Sequence, residues 1–103
     1  MINETLVAAA QYMDEHGWIQ GEQVDSEGRV CMAGALMMVT FGEIPESTFG
    51  NNDYYKAWYR LAGYCRSKFD TPRSVTGVND YVLDTKEETV KFMMEAAEWE
   101  PKQ

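Results

Sequence analysis

A cysteine, a histidine and an asparagine–aspartate pair are the residues of this chain whose types could carry out chemistry together. Cys31 stands at the start of an apolar segment, where the positive end of a helix would lower the pKa of its thiol. His16 could act as a base and Asn79 or Asp80 could orient it, as in cysteine-dependent hydrolases and transferases. His16 also falls in the last turn of a predicted helix, where an imidazolium stabilises the negative helix end without any catalytic role.

We favour a structural interpretation of these residues over an enzymatic one. Arg29 could form a charge-assisted pair with Asp80 or with Asp25, and so tie two irregular connectors of the chain together. Asn79 could cap turns with its side chain, and the neighbouring glycines permit tight turns. A pocket between the connectors that binds a ligand or a peptide without catalysis is a third interpretation. Its candidate binding residues are Trp18, Gln20, Arg29 and Asn79.

The composition predicts one folded, acidic domain over residues 1–103. The chain is 45% hydrophobic, and nine Lys and Arg stand against seventeen Asp and Glu, for a net charge of −8. This charge disfavours direct binding to nucleic acid or to anionic membranes, and it suits a basic protein partner. A DNA mimic would need carboxylates spaced like phosphates on one face. The acids are instead spread along the chain, with a mild cluster at Glu95, Glu98 and Glu100.

The cysteine count and the loop patterns predict neither a metal nor a cofactor. Cys31 and Cys65 lack the spacing of a metal-ligand pair, and the turn at 25–28 lacks the pattern of a calcium loop. Both cysteines lie in predicted helices, so we expect reduced, buried thiols, although a disulfide between them stays open. No signal peptide is visible and the longest apolar run, 32–39, is too short for a bilayer, so a cytoplasmic location is expected.

Hydrophobic periodicity predicts an all-α fold of four helices around a buried central helix. The predicted helices cover residues 4–16, 30–41 and 53–69, and the fourth begins at a capping box at Asp84 or Thr85. The second helix is apolar all round, which is typical of a buried helix. Residues 18–20 and 29–30 could pair as a small β-hairpin, and residues 70–84 are predicted to form a second irregular connector.

The third predicted helix carries more aromatic residues than a single apolar stripe needs. Tyr55, Tyr59 and Tyr64 flank the stripe, and exposed tyrosines in such positions are typical of contact surfaces. In the alternative interpretation they cover the edge of the core with their hydroxyl groups in water. We therefore expect a protein that binds another protein, in which an acidic rim around the aromatic residues attracts a basic partner. The sequence leaves the oligomeric state open.

Three motifs carry a resemblance to a known family: WxQG at 18–21, DxxGRVCxxGAL at 25–36 and SVxxxND at 74–80. In their order and spacing the chain resembles an uncharacterised family of small proteins from actinobacteria and their bacteriophages, over roughly residues 6–97. The resemblance implies a common fold and origin but no activity. It also suggests a small phage protein whose partner is a host or phage protein. The family usually has tryptophan where this chain has Val78.

Overall fold

The chain folds into five packed helices in a computed structural model that describes residues 2–69 and 74–100. The helices are α1 (Glu4–His16), α2 (Met32–Phe41), α3 (Asn52–Lys68), α4 (Val75–Tyr81) and α5 (Lys86–Glu98). The predicted all-α class is confirmed. The predicted number of four helices is wrong, because α4 lies within the segment that was expected to be an irregular connector.

A side chain just before each helix accepts a hydrogen bond from a backbone N–H of the first turn, and this defines where the helix begins. The acceptors are Asn3, Cys31, Asn51, Ser74 and Thr85. Of the two starts predicted for the last helix, Thr85 is confirmed as the cap, and Asn51 caps α3, which begins at Asn52. The second helix begins at Met32 rather than at Val30, because the backbone of Cys31 is extended.

Two helices share the centre of the packing. Helix α2 contacts α1, α3 and α4, and helix α1 contacts α2, α3 and α5. The first six residues of α2, 32–37, are buried, whereas its last residues are half-exposed. The largest fully buried apolar side chains come from all five helices and the segment before α2: Leu6, Met13, Val30, Met32, Leu36, Leu61, Val75, Val78 and Met93.

The connector between α1 and α2 wraps around Val30, which forms bridges to two of its segments. Val30 makes single β-bridges to Trp18, in parallel orientation, and to Val24, in antiparallel orientation. Its N–H donates to the carbonyl oxygen of Gly17 at 3.0 Å, and its own carbonyl accepts from Ile19 at 3.1 Å. Because the bridge between Trp18 and Val30 is parallel, these two segments do not form the predicted hairpin.

No helix within residues 2–69 and 74–100 has the length and hydrophobicity needed to span a bilayer.

Candidate functional site

The side-chain amide of Asn79 joins the connector after α1 to helices α2 and α4. Its Oδ1 accepts from the indole Nε1 of Trp18 at 2.8 Å and from the backbone N–H of Met32 at 3.1 Å. Its Nδ2 donates to the carbonyl oxygen of Ile19 at 3.1 Å and to Oδ1 of Asp80 at 2.9 Å. Asn79 is fully buried, so its hydrogen-bonding capacity is used inside the protein.

Two further contacts bind the first motif to the third. The amide Nε2 of Gln20 donates to the carbonyl oxygens of Asn79 and Leu83, at 3.3 and 3.0 Å, and so covers the end of α4. The backbone N–H of Gly21 donates to Oδ1 of Asp80 at 3.0 Å. The structure therefore brings together three of the predicted binding residues, Trp18, Gln20 and Asn79. Their polar atoms form hydrogen bonds with one another and with the backbone of this chain.

Arg29 lies apart from this network, in a turn of its own. Its Nε contacts Oδ2 of Asp25 at 2.6 Å, and its Nη2 lies 3.3 Å from a carboxylate oxygen of Glu27. Desolvation acts to raise the pKa of Asp25, but hydrogen bonds from the backbone and side chain of Arg29 and from the backbone of Glu27 bring this pKa below its ordinary value. Of the two predicted partners of Arg29, the structure selects Asp25. The pair therefore holds one turn together and does not tie the two connectors.

Cys31 is buried at the start of α2, with 3% of its surface exposed. Its Sγ accepts from the N–H of Gly34 at 3.3 Å. Burial raises the pKa of the thiol, and this effect outweighs the backbone donors at the helix end that act to lower it. The raised pKa does not support the enzymatic interpretation, whereas the expected burial of both cysteines as free thiols is confirmed. Cys31 and Asp80 do line one small cavity of about 130 Å³, together with Thr76.

His16 does not line that cavity. Its ring stacks on Tyr12 with a centroid distance of 3.9 Å, and its Nδ1 lies 2.9 Å from the carbonyl oxygen of Tyr12. Since the chain contains a single histidine, no imidazole accompanies Cys31 and Asp80 in the cavity. The three candidate catalytic residues are thus not assembled into a nucleophile, base and orienting group.

Gly34 allows the connector to cross α2 at close range. A Cβ at this position would overlap the carbonyl oxygen of Gln23, and the same carbonyl accepts from the N–H of Cys31 at 3.2 Å. Glycine is therefore required for contact between two backbones, which accounts for one residue of the second motif.

Exposed aromatic side chains lie on α3 and in the loop before it. Tyr59 is 68% exposed and stacks on Tyr55, with ring centroids 6.2 Å apart. The hydroxyl of Tyr55 lies 3.3 Å from Oγ1 of Thr48, and the next residue, Phe49, is 88% exposed. We call Phe49, Tyr55 and Tyr59 the aromatic surface. Phe49 was missed from the sequence, where it stands in a polar loop outside any periodic pattern.

Tyr64 does not belong to the aromatic surface. Its hydroxyl donates to Oε1 of Glu95 at 3.1 Å, and its ring packs on Phe92 and Trp99 at centroid distances of 4.9 and 5.9 Å. Desolvation and the hydrogen bond to Glu95 raise the pKa of Tyr64 to about 12. Tyr64 therefore covers the edge of the core, as in the alternative interpretation, but its hydroxyl is bonded to Glu95 within the chain.

No group of three or more histidine, cysteine or acidic side chains is arranged to hold a metal ion in the parts of the chain that the structure describes. In those parts, every buried side-chain nitrogen and oxygen also has a hydrogen-bond partner.

The fold and these contacts define a small helical protein whose first and third motifs bind each other and whose aromatic side chains are exposed elsewhere. The chain belongs to the family of unknown function DUF6197, which matches residues 2–98. This confirms the expected membership in an uncharacterised family, and the match includes all five helices. Neither the curated proteins nor the solved structures include a significant match to the chain.

Proposed function

We propose that this chain acts by binding another protein through the aromatic surface formed by Phe49, Tyr55 and Tyr59. The observation that carries the proposal is the exposure of two large aromatic side chains, 88% for Phe49 in the loop before α3 and 68% for Tyr59 on α3. Aromatic side chains bury a large area on association and lose little conformational entropy, and tyrosine is enriched among residues that dominate binding energies. Tyr55 supports Tyr59 from one side by stacking, so the ring of Tyr59 is held in place for contact.

The motif residues have a different part in this proposal. Trp18, Gln20 and Asn79 hold the connector and α4 in place through bonds within the chain. A partner would have to break these bonds to use the same polar atoms, and each broken buried bond costs about 1–3 kcal/mol. The motifs therefore stabilise the fold, whereas the aromatic surface is free for association.

The resemblance to proteins of actinobacteria and their phages supports a host or phage protein as the partner, in the cytoplasm of the host. Both cysteines are free and buried, which suits a reducing compartment. The net charge of −8 supports attraction of a basic partner over long distances.

Capture of a partner by the immobilised chain tests the proposal. The Tyr59→Ala chain should bind the captured protein about 5- to 30-fold more weakly, which corresponds to about 1–2 kcal/mol. Its melting temperature should change little, because Tyr59 is largely exposed. Tyr81→Ala is the matched control, since Tyr81 is 80% exposed on another helix and should contribute nothing to capture.

Phe49→Ala should weaken capture in the same way as Tyr59→Ala. If both variants capture the partner as well as the unmodified chain does, the aromatic surface is not the binding site and the proposal fails. A large drop in melting temperature for Tyr59→Ala would also contradict it, because the ring would then contribute to packing.

A further inference from the structure

Helix α3 differs in charge from the rest of the protein. It carries four of the nine basic residues of the chain but one of the seventeen acidic residues, Asp53. The basic residues are Lys56, Arg60, Arg66 and Lys68. A chain with a net charge of −8 thus presents one helix with a positive balance, and this helix is the one that carries Tyr55 and Tyr59.

Two of these cations lie on the exposed stripe of α3 that contains Tyr59. Lys56 precedes Tyr59 by three residues and Arg66 follows it by seven, spacings that place the three residues on one helix face. Both cations are exposed, and neither forms an ion pair within residues 2–69 and 74–100. Lys86 behaves differently, since its Nζ lies 3.7 Å from a carboxylate oxygen of Asp14.

We infer that the partner segment that contacts the aromatic surface is acidic, with Asp or Glu residues beside an apolar or aromatic anchor. This inference rests on the proposed function and names the chemistry of the partner at that site. The net charge of the chain acts over long distances, but salt screens it beyond about 8–10 Å. At contact, the charges nearest to a partner residue act most strongly, and on the exposed stripe of α3 that contains Tyr59 these charges are Lys56 and Arg66.

A second copy of the chain is a poor occupant of this surface. A twofold dimer through α3 would place Lys56 and Arg66 of one copy against the same stripe of the other, and like charges in contact destabilise such an interface. Nucleic acid is also disfavoured as an occupant, because the net charge of −8 would repel its many phosphates. A short acidic protein segment would contact α3 and avoid most of the acidic surface.

The inference can be tested by NMR titration of the isotope-labelled chain at low ionic strength with three probes. These are a short synthetic peptide that alternates leucine with glutamate, its lysine counterpart, and a single-stranded oligothymidine. We expect the glutamate peptide to shift the backbone amide signals of Lys56, Tyr59 and Arg66, and the lysine peptide to leave them unchanged. Lys56→Glu should weaken binding of the glutamate peptide about tenfold.

Lys91→Glu is the matched control, because it makes the same change of net charge on α5 and should have little effect. Equal weakening by Lys56→Glu and Lys91→Glu would overturn the inference, as would binding of the lysine peptide at α3 or no shift of α3 amides with the glutamate peptide. Tighter binding of oligothymidine at the same amides would also overturn it in favour of nucleic acid. Loss of partner capture with Tyr59→Ala but not with Lys56→Glu would leave the proposed function standing without this inference.

Discussion

Replacement of Asn79 by alanine removes the four hydrogen bonds of a fully buried amide. The bonds join Asn79 to Trp18, Met32, Ile19 and Asp80, at distances from 2.8 to 3.1 Å. Each bond contributes about 0.5–1.5 kcal/mol, and a buried group left without a partner costs about 1–3 kcal/mol. In the alanine variant the N–H of Met32 would lose its acceptor, and this loss should cost the most free energy because Met32 is fully buried.

We therefore expect Asn79→Ala to lower the free energy of unfolding by about 3–5 kcal/mol, out of a total of about 5–15 kcal/mol for a domain of this size. The measurement is urea unfolding followed by circular dichroism, with the midpoint compared at constant slope. Thr76→Ala is the matched control on the same helix. Thr76 is exposed, so its replacement should change stability by no more than about 0.5 kcal/mol.

Asn79→Asp tests the hydrogen bonds alone, because it changes the donor groups of the side chain and keeps its size. The aspartate has nearly the same size, but its carboxylate would face the Asp80 carboxylate and the Ile19 carbonyl, both of which now accept bonds from Asn79. Burial and the neighbouring carboxylate would raise its pKa in the folded state above the unfolded value of about 3.9. The loss of stability should then be largest at neutral pH and shrink as the pH falls towards about 4. A loss below about 1 kcal/mol in both variants would refute the view that Asn79 anchors the connector.

Three further changes have defined expected outcomes. Gly34→Ala should cost about 2–4 kcal/mol in thermal unfolding, since its Cβ would overlap the Gln23 carbonyl oxygen; an unchanged melting temperature would contradict the close crossing. Burial raises the pKa of Cys65 from an ordinary 9.0 to about 12. The thiol therefore ionises first in the unfolded state, and the free energy of unfolding should fall as the pH rises above about 9, less so in Cys65→Ala. Tyr64→Phe should cost about 1 kcal/mol in urea unfolding, because it removes the bond to Glu95. It should also remove a tyrosine that ionises at about pH 12 in an ultraviolet pH titration.

The helix ends that the sequence predicts correctly depend on contacts between near neighbours. Asn3, Asn51 and Thr85 each bond to a backbone N–H three residues further along, so the signal and its partner lie within one turn. The apolar stripe of α3 is a similar case, because the helical period alone brings its residues to one face. These features of the fold can be predicted from the sequence.

Helix α4 could not be predicted in the same way. It has seven residues, and its middle contains Gly77 and Asn79, which both favour turns over helices. Its stability comes from burial of Val75 and Val78 and from the bonds that Asn79 makes to residues 47 to 61 positions away. A helix this short needs such tertiary contacts, because isolated helices of its length are unstable in water.

The sequence by itself determined that aromatic residues crowd α3 and that the chain is acidic, because both follow from composition and period. Only the tertiary structure decided which aromatic residues are exposed. Glu95, which is 31 residues from Tyr64, accepts a hydrogen bond from the hydroxyl of that tyrosine at the core edge. In the loop before α3, Thr48 contacts the hydroxyl of Tyr55, and the next residue, Phe49, is exposed. The same folding buries Cys31 and separates it from His16, because the environment of a side chain depends on residues that are distant along the chain.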